Sequence, residues 1–238
     1  MCYEVGPKHK AHPGGALSAA DIIVVLYFDI MRIDPSNPGW KERDRFILSK
    51  GHTCPVLYAA LANLGYFDKK QYKSLRRVDG MLQGHPDMRK TPGIDMTTGS
   101  LGNGLSAGVG MALSARIDKK NYRVFVLLGD GECDEGIVWE GAMAASKYKL
   151  DNLIAIVDMN GLQSCGTVKY IMPTDSLIDK WRSFGWNTIE IDGHNMREII
   201  FGLELASSYI SKPSVIIAHT VKGKGVSFME NDNAWHQK

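Results

Sequence analysis

Four short apolar runs constrain this chain most: RVFVLLGD at 123–130, NLIAIVDMN at 152–160, NTIEID at 187–192 and PSVIIAHT at 213–220. Each is bounded by turn residues, and helical stretches lie between them. Strands this apolar need cover on both faces, and helical crossovers join parallel neighbours. The pattern therefore predicts an α/β fold, a parallel β-sheet with helices on both faces. A shorter run, RFILSKGH at 45–52, reads as a further strand ending in a glycine turn.

Residues 18–31 are predicted as a largely buried helix, with Ser18 and Asp21 at capping-box spacing. DPSNPG at 34–39 stops it. Residues 56–65 form a second helix with Gly65 at its C-terminal cap, and LSAGVGMALSAR at 105–116 a third of small residues. Between these two lies a glycine-, proline- and threonine-rich loop over 81–104, long enough to imply function. No repeat, low-complexity segment or linker divides the 238 residues, so 1–238 reads as one domain.

Charge excludes some partners. Lys and Arg number 28 against 26 Asp and Glu, and a net charge of +2 is too small to attract nucleic acid or an anionic membrane. The densest basic stretch, KKQYKSLRR at 69–77, reads as a solvated helical face. Cys2, Cys54, Cys133 and Cys165 are far apart with no CxxC pair, which suggests reduced thiols in the cytoplasm rather than zinc or disulfides. The apolar run at 22–31 contains Asp29, is too short to span a bilayer, and lacks the layout of a cleavable signal.

GDGECDEGIVWEG at 129–141 brings five carboxylates to the end of a buried strand. In an open parallel sheet, ligands gather at the carboxyl ends of strands. Asp130 stands at one such end and Asn160 at the next, with Gly129 and Gly131 letting backbone approach a ligand. A carboxylate, an amide oxygen and a backbone carbonyl make half of an octahedral oxygen cage, which Mg²⁺ completes with water and phosphate oxygens. Such an ion reverses the local field, so the carboxylates need not repel a phosphate. The same pair has a plain alternative, Asp130 capping a helix and Asn160 closing a turn.

Further blocks follow in order: HPGGALSAADI, LSKGH, GHPD, TTGSLGNGLSAGVGMA, GDGECDEGIVWEGAMAA, DMNGLQSCG and HTVKGKGVSFMEN with a terminal WH. From residue 9 to 236 the chain resembles the N-terminal half of a transketolase, an enzyme that binds thiamine diphosphate through Mg²⁺. The resemblance implies the thiamine diphosphate-binding fold (PP domain). It also implies that Asp130, Asn160 and the Leu162 carbonyl hold Mg²⁺, or Ca²⁺ or Mn²⁺ in its place. His52, Gly131 and the turn of Gly99, Ser100 and Leu101 would touch the diphosphate or thiazolium. Lys50, Lys222 and Glu135 would stand on the cofactor side. His12, His85 and His236 would surround the ketose: His85 for a terminal hydroxyl, His12 and His236 for proton movement, with His52 completing the set. Histidine suits that work near neutral pH, although a single histidine in a glycine-rich turn is more often structural. His9, His194 and His219 read as structural or solvated. Glu135 and Glu140 would lie at a self-association contact, where facing carboxylates raise at least one pKa. Glu140 reads equally well as the charged start of a helix.

The match departs in places. Ala11 stands where the family usually has glycine, Met159 precedes Asn160, Gln237 follows the final histidine, and both ends look clipped. A complete transketolase has a second domain whose glutamate protonates the aminopyrimidine ring. The expectation is therefore a C-terminal transketolase subunit, the pyrimidine-binding half, working with this chain in an α₂β₂ assembly. That assembly would move a two-carbon ketol unit from a ketose phosphate to an aldose phosphate, and this chain alone would be inactive. Two alternatives remain, a 1-deoxyxylulose-5-phosphate synthase-like half and a non-catalytic scaffold. Dinucleotide binding is disfavoured because GNGLSAG at 102–108 follows a loop rather than a strand.

Overall fold

A computed structural model describes residues 11–173 and 176–238, so Cys2 and His9 lie outside the described residues. Five strands form one sheet: β1 (Arg45–Leu48), β2 (Val124–Gly129), β3 (Leu153–Met159), β4 (Asn187–Asp192) and β5 (Ser214–His219). The order is β1-β2-β3-β5-β4, and every pair is parallel. Alternation along each strand divides the apolar side chains between two cores. Phe125, Leu127, Ile154 and Ile156 enter one, while Val124, Val126, Leu128, Ala155 and Val157 enter the other.

The helices that cover these faces are α1 (Pro13–Ser18), α2 (Ala20–Val25), α3 (Cys54–Leu64), α4 (Asn103–Ile117), α5 (Gly136–Lys147), α6 (Val168–Ile171), α7 (Leu177–Ser183) and α8 (Met196–Ser208). Ile22, Ile23, Tyr58, Leu61, Ile199 and Leu203 bring α2, α3 and α8 onto the first core. Leu105, Val109, Val138, Ala142 and Trp181 bring α4, α5 and α7 onto the second. The double cover expected from the unbroken apolar runs is present.

Two local expectations fail. The stretch 18–31 does not form one helix with a Ser18–Asp21 capping box. Helix formation starts earlier, at Pro13, and breaks at Ala19, and a π-helical turn over Leu26–Ile30 follows α2. The Ser18 hydroxyl donates to Asp158 Oδ2 at 2.5 Å, a charged acceptor that outcompetes a backbone cap. Asp21 Oδ2 pairs instead with His194 Nδ1 at 2.8 Å. Residues 69–77 are solvated as expected, with Lys69, Lys70, Lys73, Arg76 and Arg77 all exposed, but they do not form a regular α-helix. They make a short 3₁₀ turn over Lys69–Ser74, because Tyr72 and Leu75 are needed in the core.

The loop over 81–102 contains neither helix nor strand, and Gly65 ends α3 with φ 93°, the left-handed cap expected of it. After β3 the chain passes β5 to place β4 at the edge, then returns to insert β5 beside β3. That reversal is a topological switch point, with the tips of β2, β3 and β5 level around it. Among the described residues no helix is long and apolar enough to cross a membrane.

Candidate functional site

A cavity of about 320 Å³ opens at the carboxyl ends of the strands. Its floor comes from two neighbouring strand tips. Asp130 follows β2, and its carboxylate accepts from Gly131 N at 2.8 Å and from Gly161 N at 2.6 Å. Asn160 follows β3, with Oδ1 accepting from Leu162 N at 3.1 Å. Both side chains and Leu162 line the same cavity, so the tips converge as the parallel register requires. A Cβ on Gly131 would sit 2.7 Å from Gln163 Cγ, which shows how tightly the turn is drawn.

Two lysines reach the floor from opposite sides. Lys222 is buried, and its Nζ donates to Leu162 O at 3.0 Å and to His236 Nδ1 at 2.9 Å. Burial, with Lys50 nearby, lowers its pKa to about 8. Lys50 Nζ pairs with Asp158, whose carboxylate also accepts from Ser18 and Thr220. Burial alone would raise the Asp158 carboxyl, but Lys50 and these hydroxyls hold it below the usual carboxylate value. One buried carboxylate thus ties α1, the exits of β1 and β5, and β3 together directly behind the floor.

Glu132 plays a similar part. Buried, it accepts from the Ser49 hydroxyl, from Gly102 N at 2.8 Å and from Gly129 N at 3.0 Å. It thereby pins three glycine-containing loops to one another. Burial raises its pKa against the pull of those donors. Asp158 does not stand out among the sequence motifs, and Glu132 is one of the five carboxylates of GDGECDEGIVWEG but has no role assigned there. The one available signal was a carboxylate inside or directly after an apolar strand, where an ion or several donors must accompany it.

Three histidines form the wall above the floor. The His12 and His52 ring centroids are 5.0 Å apart, and His236 is 5.4 Å from each. Burial, followed by neighbouring cations, pushes the pKa of His12 and His236 down to about 4. The His52 pKa falls to about 2, from burial and then Lys50. All three rings are therefore neutral near pH 7. Since the Lys222 ammonium donates to His236 Nδ1, the proton of that neutral ring resides on Nε2. His12 Nδ1 is buried without a hydrogen-bond partner.

Of the other expected residues, Gly99, Leu101 and Gly131 line the cavity, and Ser100 lies in the turn between Gly99 and Leu101 but does not. His85 lies just outside it, where a Cβ on Gly99 would be 3.5 Å from its Cγ. Glu135 and Glu140 are exposed at the start and middle of α5, away from the cavity. His194 is structural, accepting from Val221 N at 2.8 Å while paired with Asp21. His219 meets Glu190 at the surface. Cys54 and Cys133 are buried thiols outside any disulfide, and Cys165 is an exposed one.

The donors around Asp130 suit a hard cation. Among the described residues no three His, Cys, Asp or Glu side chains gather as a softer metal would require. Asp130, Asn160 and Leu162 line the one cavity instead, residues that carry a carboxylate, an amide oxygen and a backbone carbonyl, with the Asn160 oxygen accepting from Leu162 N and the Leu162 carbonyl from Lys222 Nζ. Burial, then the charge of Asp158, raises Asp130 to about 6. A divalent cation there offsets both effects. The lysines and the backbone N–H groups of the glycine turns suit a phosphate beside it.

The family profile for the transketolase thiamine diphosphate-binding domain matches residues 3–238. The chain belongs to that family. It is 51% identical over 233 residues to the 6-deoxy-6-sulfo-D-fructose transketolase subunit SqwG of Clostridium sp. (strain MSTE9), covering 98% of this chain and 85% of that protein. It is 46% identical to an apulose-4-phosphate transketolase subunit of Phocaeicola vulgatus, covering 98% and 83% respectively. A transketolase from Pichia stipitis, solved in complex with sedoheptulose 7-phosphate, superposes with a TM-score of 0.91 at 32% identity. That match covers 96% of this chain and 35% of the Pichia stipitis chain. The sheet described above is the thiamine diphosphate-binding fold of transketolases, with the cavity at its switch point.

Proposed function

We propose that this chain, as one domain over residues 1–238, is the diphosphate-binding subunit of a cytoplasmic two-subunit transketolase. The observation that carries the reading is the meeting of one hard-oxygen donor set, two lysines and three neutral histidines around a single cavity at the switch point. Asp130, Asn160 and the Leu162 carbonyl would hold Mg²⁺, and Lys50, Lys222, His52, Gly131 and the Gly99–Leu101 turn would face the diphosphate and thiazolium. Bound thiamine diphosphate supplies the nucleophilic carbon that breaks and forms a C–C bond beside a carbonyl.

The protein contributes position and proton transfer. His236, with its proton on Nε2, is a donor towards a substrate oxygen. His12, neutral and with an unpartnered buried Nδ1, is an acceptor for a hydroxyl proton. His85 stands further out, where a terminal hydroxyl would lie. Asp158 and Glu132 touch neither reactant and hold the loops that do.

A C-terminal transketolase subunit would close the cavity from the other side, supply the pyrimidine-side glutamate, and join this chain in an α₂β₂ assembly that uses the Glu135 and Glu140 surface. The names of the two relatives, one a sulfo-sugar enzyme and the other a sugar-phosphate enzyme, support a sugar bearing a terminal anion as substrate.

The test is magnesium-dependent binding of thiamine diphosphate to the complex reconstituted with its partner subunit, followed by calorimetry. Asp130→Ala is expected to weaken it by at least a hundredfold. Undiminished binding would refute the metal assignment. Ketol transfer from xylulose 5-phosphate is expected, and condensation of pyruvate in its place would move the chain to the 1-deoxyxylulose-5-phosphate synthase-like reading. A stable, cofactor-loaded complex that performs neither reaction would mark a scaffold.

A further inference from the structure

The strap that follows β5 brings two groups of the site in from opposite ends. Lys222 stands near its start and His236 near its finish, and between them the chain makes turns and one short 3₁₀ turn over Asn233–Trp235. Lys222 Nζ donates to Leu162 O at 3.0 Å and to His236 Nδ1 at 2.9 Å. It therefore spans two segments, the loop after β3 and the end of the strap, and can do so only while they keep one separation. A lysine stem has too many free torsions to impose that separation by itself.

Asn233 is placed to impose it. It is half-buried at the first position of the 3₁₀ turn, three residues before His236, and stands outside the cavity lining. Its Nδ2 donates to the carbonyl of Ser164, a cavity residue on the loop after β3, at 2.7 Å. Its Oδ1 accepts from Lys222 Nζ at 3.4 Å. The amide fits only one way round, because an ammonium requires its oxygen and a carbonyl requires its NH₂. Asp232 steadies the turn, with Oδ1 accepting from Ala234 N at 2.9 Å. Backbone bonds tie the strap elsewhere: Asn231 N donates to Lys222 O at 2.9 Å, and Lys238 N to Ala11 O at 3.0 Å. Neither of those bonds reaches the loop after β3, whereas the Asn233 amide does.

We infer that Asn233 is a positioning residue, which clasps the end of the strap to the loop after β3 so that Lys222 reaches His236 Nδ1 and holds that imidazole as the Nε2–H tautomer. This rests on the transketolase reading, in which His236 donates to a substrate oxygen, and deepens it. The Leu162 carbonyl has two lone pairs, so the lysine leaves one of them for a cation. Asn233 acts through Lys222 and His236 and is not a catalytic residue.

The first test reads the ring in the full chain, without partner or turnover. Nitrogen-15 NMR of the histidine side chains is compared at about pH 7.5 among the wild type, Asn233→Leu and Asn233→Asp, with His236→Gln assigning the signal. The wild-type ring should be almost wholly Nε2–H. Asn233→Leu has nearly the same shape and neither polar contact, and should raise the Nδ1–H form about fivefold or more. Asn233→Asp keeps an acceptor for Lys222 but loses the donor for Ser164 O, and should raise it as well. An unchanged ring in Asn233→Leu would overturn the inference. An unchanged ring in Asn233→Asp alone would overturn the clasp, since contact with Lys222 would then suffice.

The second test separates positioning from plain stability. In the complex reconstituted with its partner subunit, Asn233→Leu should lower kcat about tenfold while thiamine diphosphate affinity stays within about threefold. Equal losses in the two would make Asn233 a structural residue and overturn the inference. If the ring changes as expected and no complex transfers a ketol unit, the transketolase reading fails and the positioning of His236 stands.

Discussion

The floor and the wall of the cavity are built on opposite principles. On the floor nearly every polar atom has a partner: Asp130 takes two backbone N–H groups, Asp158 takes an ammonium and two hydroxyls, and Glu132 takes three donors. The histidine wall is neutral, and His12 Nδ1 has no hydrogen-bond partner at all. The contrast is physical. A diphosphate and its cation bring fixed charge, which a rigid preorganised field stabilises without reorganisation cost. A reacting sugar needs groups able to accept and return protons, and a partner for every nitrogen would block that.

The largest expected effect breaks the floor. Asp158→Ala leaves Lys50 buried without its carboxylate and should cost about 3–5 kcal/mol of stability in urea unfolding. Pairing it with Lys50→Met should recover much of that loss. A single-mutant cost below about 1 kcal/mol would show that the network holds nothing together.

His12→Gln attacks the wall alone. In the reconstituted complex it should lower kcat by about a hundredfold or more while thiamine diphosphate affinity stays within about twofold. A parallel loss of cofactor would erase the distinction between wall and floor.

The pH dependence of stability sharpens the comparison further. His12, His52 and His236 have native pKa values below the 6.5 of a free histidine. Between that value and about 4 the unfolded chain therefore binds protons that the native wall refuses. Stability contributed by the neutral rings is complete above pH 6.5 and declines as pH falls below it. The urea midpoint should be lower at about pH 5 than at about pH 7.5, and His52→Asn should flatten the difference. An unchanged midpoint would place these rings in a wetter setting than the fold implies.

The smallest effect lies outside the site. Gly65→Ala forces a side chain into the left-handed cap of α3, but nothing lies within 4 Å of the new Cβ. The cost should be about 1 kcal/mol, with cofactor binding unaltered. A larger loss or weakened binding would mean that the site is coupled to distant backbone.

Much of the architecture was legible because the signals are local. β2, β3, β4 and β5 begin and end within a residue of the apolar runs; in β2, β3 and β5 burial reaches almost every position, whereas β4, at the edge, buries only Ile191 and is marked by its bounding turn residues. The meeting of Asp130 and Asn160 could also be read, because consecutive parallel strands place their tips side by side. Three features were not legible. The capping box at Ser18 satisfied a local rule, but Asp158, 140 residues away, claimed the hydroxyl. The basic stretch over 69–77 is solvated as its charges suggest, but nothing in it announced that Tyr72 and Leu75 turn into the core and hold it to a 3₁₀ turn. Asp158 itself looked like one more strand residue, since nothing in VDMN announces which cation will meet it.

The amino-acid sequence alone determined the layers of this protein, the strand tips that carry its ligands and the family of motifs it bears, because periodicity, turn chemistry and motif spacing act over a few residues. Only the tertiary structure decided which charges are paired and which histidines are neutral. Those properties depend on burial and on partners far away in the chain, and a side chain acquires them only when the sheet closes around it.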